Sequence, residues 1–324
     1  MDDDGMSEDG RWQVRPDASK IIDIDDLKSI DIDLVCGRVD VIGHDGPDAR
    51  LEINNVRGEN LDVRLVHGAL KVSHPNAEGT GIHNVFRIRR WKDLRSVVSA
   101  DVSLLVPRAV RVRIATVQGD TLIGGVTDGA KLETVSGTVL ADSVCGELKL
   151  DSVSGKVEAR NHYGTVNANT VGGDVIVSGN CHTIKLDSVS GALYCDVFGV
   201  ADSLRFSTVS GNAAIRVDSG VRVRCVANSG HGHAEIDGQK YHMSFTKTVD
   251  IEDGPENAPC TDLHFSAVSG SLKLVRREDV QGESMQTGPG QEERAGQAGQ
   301  TADQAADRVD HADQTDRVHQ VDRL

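Results

Sequence analysis

Apolar positions in the middle of the chain recur every nine residues. The clearest copies are ETVSGTVLA (133–141), DSVCGELKL (142–150), DSVSGKVEA (151–159), NHYGTVNAN (161–169) and NTVGGDVIV (169–177). Further copies are DSVSGALYC (187–195), STVSGNAAI (207–215) and SAVSGSLKL (266–274). Each unit closes on two apolar residues separated by one other, as in Val139 and Ala141, Leu148 and Leu150, or Val157 and Ala159. That alternation is the period-two signature of a strand. A glycine precedes each pair, at Gly119, Gly137, Gly146, Gly155, Gly164, Gly173, Gly191, Gly211 and Gly270. Glycine at a fixed place in every copy points to a bend that needs a positive φ or a close backbone approach.

One such unit cannot bury its own apolar face, so the units must stack. The spacing predicts an all-β, repetitive β-solenoid of nine-residue half-coils, about eighteen residues per coil, with a repetitive β-sandwich as the alternative. In this register the first Val of each unit, Val153 for example, points inward, and Lys156 points outward. The Ser before each Gly holds the bend through local backbone bonds. Weaker copies, LVCGRVDVI (34–42), NVRGENLDV (55–63) and LVHGALKVS (65–73), carry the pattern back to about Lys20. The expected domain is therefore 20–275, with irregular insertions near 76–98 and 231–259. It is flanked by an acidic, disordered 1–19 and a polar tail, disordered or weakly helical, over 276–324.

Composition narrows the class. Aromatic residues make up 3% of the chain, too few for the usual core of a large sandwich but enough for narrow layers filled by Val, Leu, Ile and Ala. The net charge of −15 argues against nucleic acid as a partner and against adhesion to anionic lipid. The opening MDDDGMSEDG is acidic where a signal peptide needs positive charge. Apolar runs fall far short of the ~20 residues of a membrane-crossing helix. The six cysteines, Cys36, Cys145, Cys181, Cys195, Cys225 and Cys260, show no C-x-x-C spacing and occupy small or apolar slots. Reduced thiols and a cytoplasmic location are expected.

Few residues offer chemistry. Gly172-Gly173-Asp174 comes nearest to a calcium-binding nonapeptide turn, but the other turns put Ser, Cys or Tyr before a lone Gly and usually lack a carboxylate just after it, and calcium needs 6–8 oxygen ligands. His231, His233, His242 and His264 could be weighed as a zinc cluster, but no acidic or Cys ligand matches them. Arg87, Arg89, Arg90, Trp91 and Lys92 form the one basic and aromatic cluster, a possible binding patch for phosphate or a polyanion. Its alternation with Phe86 and Ile88 equally fits a half-exposed strand whose arginines guard an edge. The serines of the Val-Ser-Gly slots repeat with the turn, whereas a nucleophile is expected once, beside a base. No catalytic residue, metal ligand or cofactor site is assigned.

The recurring Val-Ser-Gly-x-Val-x-Ala/Leu units over 110–275, extended by the copies at 34–73, resemble a bacterial β-helical family of unknown function labelled "putative adhesin". The resemblance implies a non-catalytic β-rich domain, whose relatives often lie near envelope-stress regulators. The expected function is a non-catalytic binding or scaffold module for a protein partner, in envelope-stress signalling. The alternatives are a surface adhesin exported without a classical signal and a carbohydrate-active β-helix enzyme.

Overall fold

The computed structural model describes residues 10–75 and 98–277. Those residues form strands and turns without a helix, and all 21 strands join one sheet. The N-terminal part contributes β1 (Gly10–Val14), β2 (Lys20–Ile24), β3 (Ser29–His44), β4 (Ala49–Arg57), β5 (Leu61–Val66), β6 (Ala69–Ser73) and β7 (Ser99–Pro107). The repeats form β8 (Arg111–Gly124), β9 (Ala130–Ser136), β10 (Val139–Asp142), β11 (Cys145–Ser152), β12 (Val157–Thr170), β13 (Val175–Ser190), β14 (Leu193–Val197), β15 (Ser203–Ser210) and β16 (Ala213–Asp218). The chain ends in β17 (Arg222–Ile236), β18 (Gln239–Ser244), β19 (Val249–Asp253), β20 (Cys260–Ser269) and β21 (Leu272–Arg277).

In the middle of the chain the strands pair in parallel, and partners lie eighteen residues apart: Val139 stands beside Thr121 and Val157, and Leu148 beside Ala130 and Val166. This order breaks after β16. The chain passes to the outer end of the array as β17, then returns as β20 and β21 to fill the gap it left. Ser203 consequently pairs with Asp262, and Arg222 with Cys260. Seven strands, β13, β14, β16, β21, β17, β20 and β15, close a ring in which every pairing is parallel. β13 and β17 close it because each bends and pairs in both walls.

The expected repetitive β-solenoid of nine-residue half-coils is corrected by this closure. The chain forms a closed, seven-stranded parallel β-barrel with further strands outside it. The two-sheet sandwich fails too, since every strand belongs to one sheet. The repeat fixed neither closure nor neighbour order, because both depend on pairings between distant strands.

Antiparallel strands finish both ends. β1, β5 and β6 lie beyond one half of β3, and β2, β4 and β7 beyond the other. β18 and β19 fold back on β17, within the stretch expected to be irregular. These hairpins cover parallel strands that would otherwise present unpaired edges. The paired structure starts at Gly10, ahead of the expected Lys20, and runs to Arg277. Of the expected insertion at 76–98, all but Val98 lies outside the described residues.

Leu148, Leu150 and Ser152 point inward along β11, which leaves Val153 half-buried on the outside. The inward expectation for Val153 is thus corrected, while Lys156 is exposed. The reason is chemical. Ser152 Oγ accepts the Gly155 N–H at 3.0 Å and donates to the Gly155 carbonyl at 3.2 Å, so the turn needs its hydroxyl inside. Thr170 Oγ1 likewise accepts the Gly173 N–H, at 3.1 Å. At the opposite bend Val144 is buried, so successive nine-residue units are not equivalent.

The buried hydroxyls of Ser188 and Thr208 continue that inner row but have no hydrogen-bond partner. Ser152→Ala is expected to lose on the order of 1 kcal/mol, whereas Thr208→Val, which removes an unpartnered buried hydroxyl, should be neutral or stabilising by about 1 kcal/mol. Urea unfolding of both variants checks this; a larger loss for Thr208→Val than for Ser152→Ala would refute the assigned facing.

Candidate functional site

The glycine bends set the geometry of the surface. Gly37, Gly119, Gly137, Gly155, Gly173, Gly191, Gly211, Gly270 and Gly232 lie one above another. A Cβ on any of the last eight would collide with the carbonyl oxygen of the one before it. Gly146 and Gly164 stack on the opposite bend, where Gly164 also has a φ of 131°. All the glycines singled out in the sequence therefore serve this stacking. The serines beside them bridge to the strand below: Ser136, Ser154 and Ser190 donate to the carbonyls of Val117, Val135 and Val171 at 3.1 to 3.3 Å. The bonds expected to be local run between strands instead.

With the bends aligned, each outward position becomes a row across the strands. One row is Val135, Val153, Val171, Val189, Val209 and Val268. Its last four members are 50%, 46%, 47% and 52% exposed, although they occupy adjoining strands. Phe245, 76% exposed, stands beside Gly230 at the end of this row and takes the His231 ring edge-on at 5.7 Å. Scattered exposed apolar residues are ordinary; a continuous line of them marks a contact surface. The sequence placed these valines in the core, so their role was missed.

A second feature lies on the other wall. Ile176, Tyr194, Ala214 and Lys273 stand side by side on successive strands. Ala214 is the short member, and the depression over it, about 430 Å³, is bordered by Ser178, Asp196, Arg216 and Val275. Asp196 is held by Arg216 and Arg277, and Arg277 also pairs with Asp218 while lying 4.1 Å from the Phe198 ring centroid. Burial alone would push the Asp196 carboxyl upward, but the hydrogen bonds from Arg216 and Arg277 prevail and lower its pKa.

The other expectations fall as follows. Arg87, Arg89, Arg90, Trp91 and Lys92 lie outside the described residues. His233 faces His242 across β17 and β18, with its Nδ1 3.1 Å from Ser271 Oγ, while His264 sits on β20 beside Val226. Among the described residues no three His, Cys, Asp or Glu side chains gather as metal ligands. Asp174 accepts the Ala192 N–H at 2.8 Å, as Asp120 accepts that of Thr138, so these carboxylates tie neighbouring strands together. A partly buried ionic cluster also escaped the sequence: Arg113 bonds Asp31, Asp33 and Glu133, joining β3, β8 and β9.

No family model matches the sequence, and no curated protein matches it. The similar solved structures include three bacterial proteins. A putative cell adhesion protein from Clostridium sporogenes has 10% identity and a TM-score of 0.29, covering 80% of this chain and 99% of that one. A putative adhesin from Bacteroides fragilis has 14% identity and a TM-score of 0.41, covering 81% and 100%. A putative adhesin from Parabacteroides merdae has 12% identity and a TM-score of 0.39, covering 80% and 95%. These descriptions match the family that the Val-Ser-Gly repeats resemble.

Two buried histidines make stability depend on pH. His74 is fully buried, and its Nδ1 accepts the Val35 N–H at 3.3 Å; burial lowers its pKa from 6.5 to about 4. Burial also lowers the pKa of His162, which stacks where Val144 stands one strand earlier. The unfolded chain binds a proton at His74 below pH 6.5 and the folded chain does so only near pH 4. Stability therefore falls as pH drops through that window, by roughly 3 kcal/mol for His74, and levels off below it. His74→Asn, which keeps an acceptor for Val35, should flatten the slope of unfolding free energy between pH 6.5 and 4.5. An unchanged slope would mean that His74 does not carry the effect.

Proposed function

We propose that this protein is a non-catalytic binding module that docks an amphipathic helix of a partner protein along the ridge Val171, Val189, Val209 and Val268. The single observation that carries this reading is the exposure of all four valines in one line. Neighbouring strands are about 4.8 Å apart, close to the 5.4 Å pitch of an α-helix, so a helix lying along the ridge sets about one apolar residue against each strand. The net charge of −15 favours a basic partner at long range. The carboxylate of Asp196, beside the depression, is held ionised by arginines and so is unsuited to act as a general acid, which needs the opposite shift. All six cysteines are free thiols, which supports a site of action in the reducing cytoplasm.

Quantitative co-purification from the native host tests the ridge. Val189→Lys with Val209→Lys should lose a defined partner that wild type retains and that Ile42→Lys, altered at an exposed apolar residue elsewhere, also retains. The recovered partner should bind the purified chain directly and at least tenfold more weakly after the double substitution. The same partners at the same recovery from the ridge variant would sink the proposal, as would turnover of a partner or polysaccharide by the purified chain.

A further inference from the structure

The depression around Ala214 is separate from the valine ridge and has a different character. Its floor lies within the sheet: Ile176, Tyr194 and Ala214 stand on strands that are paired on both sides. No free strand edge is offered there, so an extended peptide cannot add to the sheet. Tyr194, 47% exposed, rises beside Ala214 and presents its ring to the depression.

The charges around it are already engaged with one another. Asp196 is shared by Arg216, whose Nε lies 2.9 Å away, and Arg277, which also holds Asp218, and Lys273 lies 3.2 Å from Glu235. A charged ligand would have to compete with these partly exposed ion pairs for their charged groups. A neutral ligand leaves them intact and still finds donors, because a guanidinium carries five N–H groups and an ammonium three. The site thus combines an aromatic platform, a small apolar floor and a rim of hydrogen-bonding groups already engaged in ion pairs.

The geometry points to a binding site for a neutral, linear oligosaccharide in this groove, independent of the helix-docking ridge. A pyranose ring has an apolar C–H face that stacks on an aromatic ring and an equatorial edge of hydroxyls that suits paired charged groups. The groove crosses the strands, and their spacing of about 4.8 Å is close to the length of one residue in an extended glycan. One sugar stacks on Tyr194 and the next lies over Ala214, with hydroxyls reaching Lys273 on one border and the Asp196–Arg216 pair on the other.

Calorimetric titration of the full chain tests this with cellohexaose, chitohexaose and β-1,4-mannohexaose, and with hexagalacturonate as the charged comparator. At least one neutral hexaose should bind saturably and more tightly than hexagalacturonate. Tyr194→Ala should weaken binding at least tenfold. Ala214→Trp, which fills the depression, should do the same with an unchanged melting temperature. The ridge variant Val189→Lys, Val209→Lys should bind the sugar like wild type, so failure of one proposal does not carry the other with it. The inference is overturned if no neutral hexaose saturates, if hexagalacturonate binds best, or if either folded groove variant keeps wild-type affinity.

Discussion

The close approach of backbone to backbone at the glycine bends is the constraint on which the rest of the structure depends. Each of these glycines lies so near the carbonyl of the one beneath that a single Cβ would force two strands apart. Strands held this tightly cannot slip by one residue, and a one-residue slip would turn every inward side chain outward. The bends therefore lock the register in which Leu148 lies over Val166 and Phe206 over Phe265.

Because register is locked, outward side chains align as strictly as inward ones. That alignment turns six valines into a ridge and sets Tyr194 beside Ala214. It also brings three acids from two strands onto the Arg113 guanidinium. Asp33 and Glu133 in this cluster are nearly buried, Lys131 adds a second cation to Glu133, and the intact cluster fastens β3, β8 and β9 together. Register thus governs both cohesion and the surfaces available for binding.

The return of β20 and β21 between β16 and β17 has a structural consequence. It pairs both sides of the strands that carry Ala214, Val209 and Val268, and so places the ridge and the depression on continuous sheet. Arg276 secures the same end of the molecule. It bonds Asp237 in the turn between β17 and β18, Asp253 at the end of β19, and the carbonyl of Val221. The barrel is closed by strands that are distant in sequence, and their ends are held by a side chain rather than by the repeat.

The sequence by itself determined the all-β class, the alternation that buries Leu148, Leu150, Val157 and Ala159, and the glycine positions at the bends. These are local matters, decided by the two-residue period of a strand and by the room that glycine leaves. It misplaced Val153 and the valines aligned with it, because periodicity does not reveal that a turn hydroxyl such as that of Ser152 has the stronger claim to the inside. It could not show the ion cluster at Arg113 or the groove over Ala214, whose members come from separate strands. Only the tertiary structure decided that the strands close a barrel, that β17 goes to the outer end, and that hairpins cover both edges. The reason is physical: a residue's own sequence neighbours fix which way its side chain points, but which strand lies beside it depends on hydrogen bonds to distant segments, such as that from the Arg222 N–H to the Pro259 carbonyl, and the nine-residue pattern reads alike for every candidate partner.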